Sequence, residues 1–258
     1  MRAPALIRQV TDPVLERVPV PVVGGENRGR WWNLSSAGSG FASGRRARTQ
    51  MRVLRTLIRP GDVVWDVGAH HGYVTLLAAR RVGPAGRVHS FEPDTRNARI
   101  LRRHLRWNRV HNAKVHPVAL GAEDGTARFG GDSTSKTLAL GQGTGRVTVR
   151  TGRSLFGAGE ADPPSFIKID VEGAEAQVLQ GALDLVATDG LIVVAVHSAR
   201  ADRDCTDLLM EHGFELIPSR PLERARRAGW HGDPDLLCMG PACQDQQQVV
   251  NAVRALGF

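Results

Sequence analysis

The sequence predicts an α/β fold, a doubly wound and mostly parallel sheet that carries an N-terminal arm. Three observations predict it. From residue 60 onward, short apolar runs alternate with segments of helical period. A glycine-bearing turn, Gly68 to Gly72, follows the first of those runs and opens a helix. The run Leu191 to Val196 is apolar without interruption, the pattern of a strand buried on both faces.

The elements follow in chain order. Residues 19–47 are rich in Gly, Ser, Arg and Pro around Trp31 and Trp32 and show no apolar period. Residues 1–45 are therefore read as a basic, loop-rich arm, and residues 46–258 as the main domain. Met51, Leu54, Leu57 and Ile58 share one face of a helix from Arg46 to Ile58, which Pro60-Gly61 ends. Val63–Val67 is the first strand, Tyr73–Val82 a helix, Arg87–Phe91 a strand, Thr95–Trp107 a helix and Ala113–Val118 a strand. Residues 119–164 break the rhythm with Gly, Thr and Ser, and read as a β-rich excursion with a strand at Arg146–Arg150. Beyond it come a strand at Phe166–Ile169, a helix from Ala174 to about Val186 and the buried strand Leu191–Val196. A helix at Asp202–His212, strands at Phe214–Ile217 and Leu236–Met239 and a C-terminal helix complete the chain.

Charge and cysteine content exclude several classes. The formal charge of +8 belongs entirely to residues 1–60, where 11 arginines face Asp12, Glu16 and Glu26; the remainder balances 23 basic against 23 acidic side chains. Apolar residues make up 41% of the chain, as a globular core requires. No apolar run approaches the roughly 20 residues that span a membrane, and residues 1–8 are too short and interrupted for a signal peptide. Cys205, Cys238 and Cys243 form no CxxC pair, so neither a disulfide frame nor a zinc site is expected. The expected location is the cytoplasm.

Three motifs carry chemistry. Asp66-Val67-Gly68-Ala69-His70-His71-Gly72 lies at the carboxyl end of the first strand, where open α/β sheets bind ligands. Its two glycines let the backbone turn sharply beside a ligand. Glu92, in Ser90-Phe91-Glu92-Pro93, ends the second strand, where a carboxylate can accept hydrogen bonds from both hydroxyls of a ribose. The loop departs from the G-x-G-x-x-G of pyrophosphate sites and has no P-loop lysine. It suits a phosphate-free nucleoside whose amino acid end Asp66 helps to hold. In Phe166-Ile167-Lys168-Ile169-Asp170-Val171-Glu172-Gly173-Ala174-Glu175, strand alternation puts Lys168 and Asp170 on one face. Such an ionisable pair on a buried strand is costly unless it is paired or functional. Glu172 either complements the next helix N-terminus or faces the site. His70 and His71 read as loop and helix-start residues rather than a metal pair. The arginines at 96, 99, 102, 103, 106 and 109 read as a solvated helix face.

In this order and spacing, DVGAHHG, FEP and IKIDVEGAE resemble the FkbM-type S-adenosylmethionine-dependent methyltransferases over about residues 60–200. The resemblance implies a seven-stranded class I methyltransferase, Rossmann-like, with S-adenosylmethionine as cofactor and no metal. It implies that Asp66, Gly68, Ala69, His70 and Gly72 form the methionine-side loop, that Glu92 is the ribose acid, and that Asp170 faces the methyl sulfonium. Two positions depart from the family pattern. His70 stands where an Asn is usual. The fifth strand ends in Ala195-Val196-His197 where Glu-x-His is usual, so the acid is absent or its role has moved. His197, as a neutral imidazole, is the first expected general base, with Lys168 and Glu172 second. Asp162-Pro163-Pro164-Ser165 is similar to the D-P-P-aromatic motif of base-methylating enzymes, but it precedes its strand and ends in Ser165, so it reads as a loop.

The expected function is O-methylation of a hydroxyl on a small metabolite or saccharide. The alternatives are an RNA methyltransferase that holds phosphates with the Arg-rich arm and a cofactor-binding protein without catalysis. Residues 1–45, 119–164 and 218–234 are the expected acceptor-binding segments. Neither the acceptor nor the oligomeric state is encoded in a readable motif.

Overall fold

The seven strands read from Val63 onward outside residues 119–164 fall in one sheet. A computed structural model describes residues 14–37, 40–45, 47–130, 139–140, 145–230 and 234–258. The start of the arm, Arg46, part of the excursion (131–138 and 141–144) and residues 231–233 of the third acceptor segment lie outside the described residues. The arm carries a hairpin, β1 (Pro19–Pro21) with β2 (Trp31–Asn33), that no sequence period announces. The strands that follow are β3 (Val63–Val67), β4 (Arg87–Phe91), β5 (Ala113–His116), β6 (Ala119–Leu120), β7 (Gly125–Gly130), β8 (Ala139–Leu140), β9 (Gly145–Arg150), β10 (Phe166–Ile169), β11 (Leu191–Ala195), β12 (Glu215–Pro218) and β13 (Asp235–Met239).

The large sheet has seven strands in the order β12-β13-β11-β10-β3-β4-β5. Only β13 runs against its neighbours, β11 and β12. The chain proceeds from β3 to β4 and β5 on one side, and later to β10 and β11 on the other. The carboxyl ends of β3 and β10 therefore flank a topological switch point, the place where such sheets leave a crevice. The excursion forms a separate four-stranded sheet, β6-β9-β7-β8.

Helices cover both faces. α1 (Arg48–Leu57), α2 (Tyr73–Val82), α3 (Thr95–Trp107) and the C-terminal helix α8 (Gln246–Ala255) close over Val64, Val193 and Leu237. On the opposite face, α4 (Gly152–Gly157), α5 (Glu175–Ala182), α6 (Ala199–Glu211) and α7 (Arg220–Ala228) cover Trp65, Ile167, Ile169, Ile192 and Val194. α7 falls within residues 218–234, which the sequence reading leaves without an element. Ser219 caps it by accepting from the Leu222 N–H, and Arg226 pairs with Asp202 at 2.7 Å through two nitrogens. Cys205, Cys238 and Cys243 are free and buried. Among the described residues no helix is long and apolar enough to cross a membrane.

The hairpin is packed rather than solvated. Trp32 is 1% exposed and stacks on His104 of α3, ring centroids 4.0 Å apart, with the edge of Tyr73 at 5.4 Å. Burial pushes His104 down to about 4, so its neutral ring is fixed against the His71 carbonyl and the Asn33 N–H. Asn108 donates to the Trp31 carbonyl and accepts from its N–H. Arg96 and Arg103 reach Glu16 of the arm, and Arg102 donates to the Val115 carbonyl. The helix face that the sequence reading leaves to solvent is therefore partly a docking face for the arm. Trp32→Ala is expected to lower the unfolding free energy by about 3 kcal/mol or more in a urea titration. A loss below about 0.5 kcal/mol would mark the arm as a detachable appendage.

Candidate active site

The loop after β3 is shaped by two close approaches. Gly68 adopts φ +78°, and a Cβ there would collide with the Asp170 carbonyl oxygen at the tip of β10. The Gly68 and Ala69 N–H groups both donate to the Phe91 carbonyl, which ties the loop to β4. His70 follows at φ 50°, a left-handed conformation in which Asn, Asp and His are several-fold enriched. The His-for-Asn departure thus keeps a residue type that this backbone tolerates. Gly72 does not line the cavity; it caps α2, and a Cβ there would strike Leu101 of α3.

Asp66, Gly68, Ala69, His70, Glu92, Lys168, Asp170, Glu172 and His197 line one cavity of about 670 Å³ at the switch point. The structure thus gathers every candidate cofactor-binding or catalytic residue named in the sequence except Gly72. Trp32 and Phe41 of the arm, the first turn of α1, Phe129 of β7 and Asp235 of β13 complete its walls.

Glu92 is buried at one end. Its Oε2 accepts the His70 N–H at 2.7 Å and its Oε1 the Asp94 N–H at 2.9 Å. Burial outweighs those donors and raises the carboxyl to about 7. Asp66 lies on the floor, in register with Lys168, and accepts from the Thr75 hydroxyl at 2.6 Å. Burial raises its carboxyl as well, although Lys168 and Thr75 oppose the rise. His71 also borders the cavity, where its Nε2 meets Asn97 Oδ1 at 3.0 Å, and burial holds its ring well below the usual range. Among the described residues no cluster of three metal-ligating side chains occurs.

The other end is a chain of charges. Lys168, 1% exposed, puts its ammonium 2.5 Å from Asp170 Oδ2. Burial alone would raise the Asp170 carboxyl, yet Lys168 and His197 together hold it well below the usual carboxylate range. His197 faces a carboxylate at each ring nitrogen: Nε2 lies 3.4 Å from Asp170 Oδ1 and Nδ1 lies 2.7 Å from Glu175 Oε1. Burial disfavours the imidazolium, but the two carboxylates outweigh it and raise the ring to about 10. The sequence reading takes His197 as a neutral base; the structure makes it a cation with neither lone pair available. The Lys168 side chain is engaged by Asp170.

Sequence reasoning missed Glu175, although it stands in the IDVEGAE motif, because only the helix start at Glu175 aims it at His197. It also missed Asp235 and Gln50, for which no motif exists.

The Methyltransferase FkbM domain model matches residues 66–216, more than half of the chain. The chain belongs to the FkbM methyltransferase family. The hexuronic acid methyltransferase AglP of Haloferax volcanii is 28% identical over 175 residues, 64% of this chain and 69% of that protein. A crystal structure of an FkbM methyltransferase from Methylobacillus flagellatus KT superposes with a TM-score of 0.50 at 20% identity. That match covers 69% of this chain and 43% of the Methylobacillus protein, less than half its length. Aeropyrum pernix fibrillarin, crystallised with natively bound S-adenosyl-L-methionine, superposes with a TM-score of 0.50 at 16% identity over 74% of this chain and 73% of its own. These two likenesses show the fold. The FkbM segment ends within β12, so Gln50 and Asp235 enter the cavity from outside it.

Because its folded-state value lies near 10 against 6.5 unperturbed, His197 adds stability that is present in full below about pH 6.5 and lost as the pH rises towards 10. Nitrogen NMR of the His197 ring is expected to show both nitrogens protonated at pH 8, and Glu175→Gln to move the midpoint down. A ring that titrates near 6.5 in the wild type would restore His197 as a neutral imidazole.

Proposed function

We propose that the chain is an S-adenosylmethionine-dependent O-methyltransferase that acts on a hydroxyl of a small metabolite or saccharide, with a saccharide as the favoured acceptor. The observation that carries this reading is the donor set around Gly68. Asp66, Glu92 and Asp170 present carboxylates to the cavity, and Lys168 is already paired with Asp170. Such a set repels a pyrophosphate and suits a phosphate-free nucleoside that bears hydroxyls, an ammonium and a sulfonium. The archaeal relative's hexuronic acid acceptor supports the saccharide class.

Each chain group has a task in this reading. Glu92 accepts from the ribose hydroxyls at the end of β4. The backbone from Gly68 to His70 lies along the nucleoside, and Asp66 contributes its charge from below. Asp170 faces the reacting centre, held in place and ionised by Lys168 and His197. S-adenosylmethionine supplies a methyl group on a sulfonium sulfur. Transfer is then chiefly a matter of aligning the acceptor in line with that methyl and excluding water. The arm aromatics Trp32 and Phe41 wall the cavity and serve the second of those needs.

Calorimetry with S-adenosylhomocysteine tests the reading. Because hydroxyl donors favour the ionised form of Glu92, affinity is expected to rise between about pH 6 and pH 8, with uptake of ligand releasing a proton below pH 7. Glu92→Gln is expected to weaken binding by about 1.5–3 kcal/mol, the range for a hydrogen bond to a charged group, and to flatten the pH dependence. Binding of NAD in its place would overturn the assignment.

A further inference from the structure

We propose that Asp235 is the residue that takes the proton from the acceptor hydroxyl, brought to the cavity by β13 in the place where β11 carries only Ala195. The inference rests on the methyl-transfer reading above and names a catalytic group for it.

The argument begins with strand register. Ala195 pairs directly with Asp235 across the antiparallel β11–β13 ladder, so the two side chains share one face of the sheet. On the other side of β11, Ile169 pairs with Val194, which brings Asp170 alongside Ala195 at the strand tips. One row therefore crosses three tips: Asp170, Ala195, Asp235. Its outer members are two strand spacings apart, about 10 Å. On that row the residue between them is Ala195, whose side chain is a single methyl group. All three line the same cavity, with a carboxylate on either side of the alanine.

Asp235 is also held in a set orientation. Gln50, in the first turn of α1, donates to its Oδ1 at 2.8 Å. Its Oδ2 makes no hydrogen bond among the described residues and remains for a ligand. The charged groups that act on it are Lys168 of β10, Asp170 just past it and His197 beyond β11, and Arg48 of α1 lines the same cavity. Burial dominates among these influences and lifts the carboxyl to about 6, against the Gln50 hydrogen bond and the Lys168 charge. An aspartate so placed is ionised at neutral pH, yet takes a proton more readily than an ordinary one.

Its neighbours are unsuited to the task. His197 has both nitrogens turned to carboxylates, and Asp170 is held ionised by Lys168. In the step itself the acceptor O–H bond breaks as its oxygen bonds to the methyl carbon. The C–S bond breaks with its electron pair left on sulfur, and the proton passes to Asp235 Oδ2. Gln50 is a positioning residue, acting through Asp235.

The test compares wild type, Asp235→Asn and Gln50→Leu for methyl transfer to the methyl glycosides of glucuronic acid and glucose. S-adenosylhomocysteine affinity and the thermal midpoint at pH 8 are measured in parallel. Asp235→Asn is expected to lose about 100-fold or more in kcat, keep its affinity for S-adenosylhomocysteine within about twofold, and melt at a higher temperature, since it removes a buried charge. The wild-type acid limb near pH 6 should vanish in Asp235→Asn, and should move to higher pH in Gln50→Leu, which loses a hydrogen bond to the carboxylate. Transfer by Asp235→Asn within about fivefold of wild type overturns the proposal. Should neither glycoside be methylated, a higher midpoint for Asp235→Asn supports it, and an equal or lower one overturns it. Failure of the methyl-transfer reading itself is distinct: the wild type would then not bind S-adenosylhomocysteine.

Discussion

A lysine ammonium buried inside a parallel sheet imposes the order on which this site depends. Lys168 lies in β10, the strand next to β3, and its uncompensated charge would cost several kcal/mol there. Its compensation comes from Asp170, two residues on along the same face, and from Asp66 directly across the ladder. Asp170, fixed in this way, offers its other oxygen to His197, and His197 extends the chain to Glu175 at the start of α5. Four alternating charges thus tie β10, β11 and α5 together at one edge of the cavity. The Asp170 side chain, 42% exposed, is the member most open to the cavity, and Lys168 and His197 set where it points and hold it ionised.

The arm has a comparable role on the opposite wall. Its hairpin closes over α3 through Trp32 on His104, and its aromatic residues Trp32 and Phe41 face the cavity. Arg55 of α1 pairs with Glu26 of the arm, an ion pair inside residues 1–60 that leaves the net +8 of that segment unchanged. On α3, Arg96 and Arg103 hold the arm's Glu16. The arm's acids Glu16 and Glu26 thus tie it to arginines of α3 and α1.

How much of this was legible in the sequence depends on whether the information is local. The large sheet's strands were legible from runs of β-branched and apolar residues, and the cavity's position from glycines and acids at strand ends. The Gly68 turn, Glu92 and the Lys168–Asp170 face all follow from spacing within one segment. The protonation state of His197 does not, because it is set by Glu175 from a helix and Asp170 from a different strand. Asp235 was invisible for a similar reason: its alignment with Ala195 depends on β13 inserting antiparallel between β11 and β12, and no periodicity encodes strand order. The hairpin strands, three residues each, are too short for a period to show, and tertiary contacts with α3 stabilise them.

The absence of an acid at 195 therefore reads differently once strand order is known. The most direct test of the account is a crystal structure of the chain with S-adenosylhomocysteine. The account expects the ribose hydroxyls on Glu92, the nucleoside along Gly68 to His70, and the sulfur turned towards Asp170 with the space between Asp170 and Asp235 left open. A ligand seated away from Glu92, or one that fills the gap beside Ala195, would contradict it.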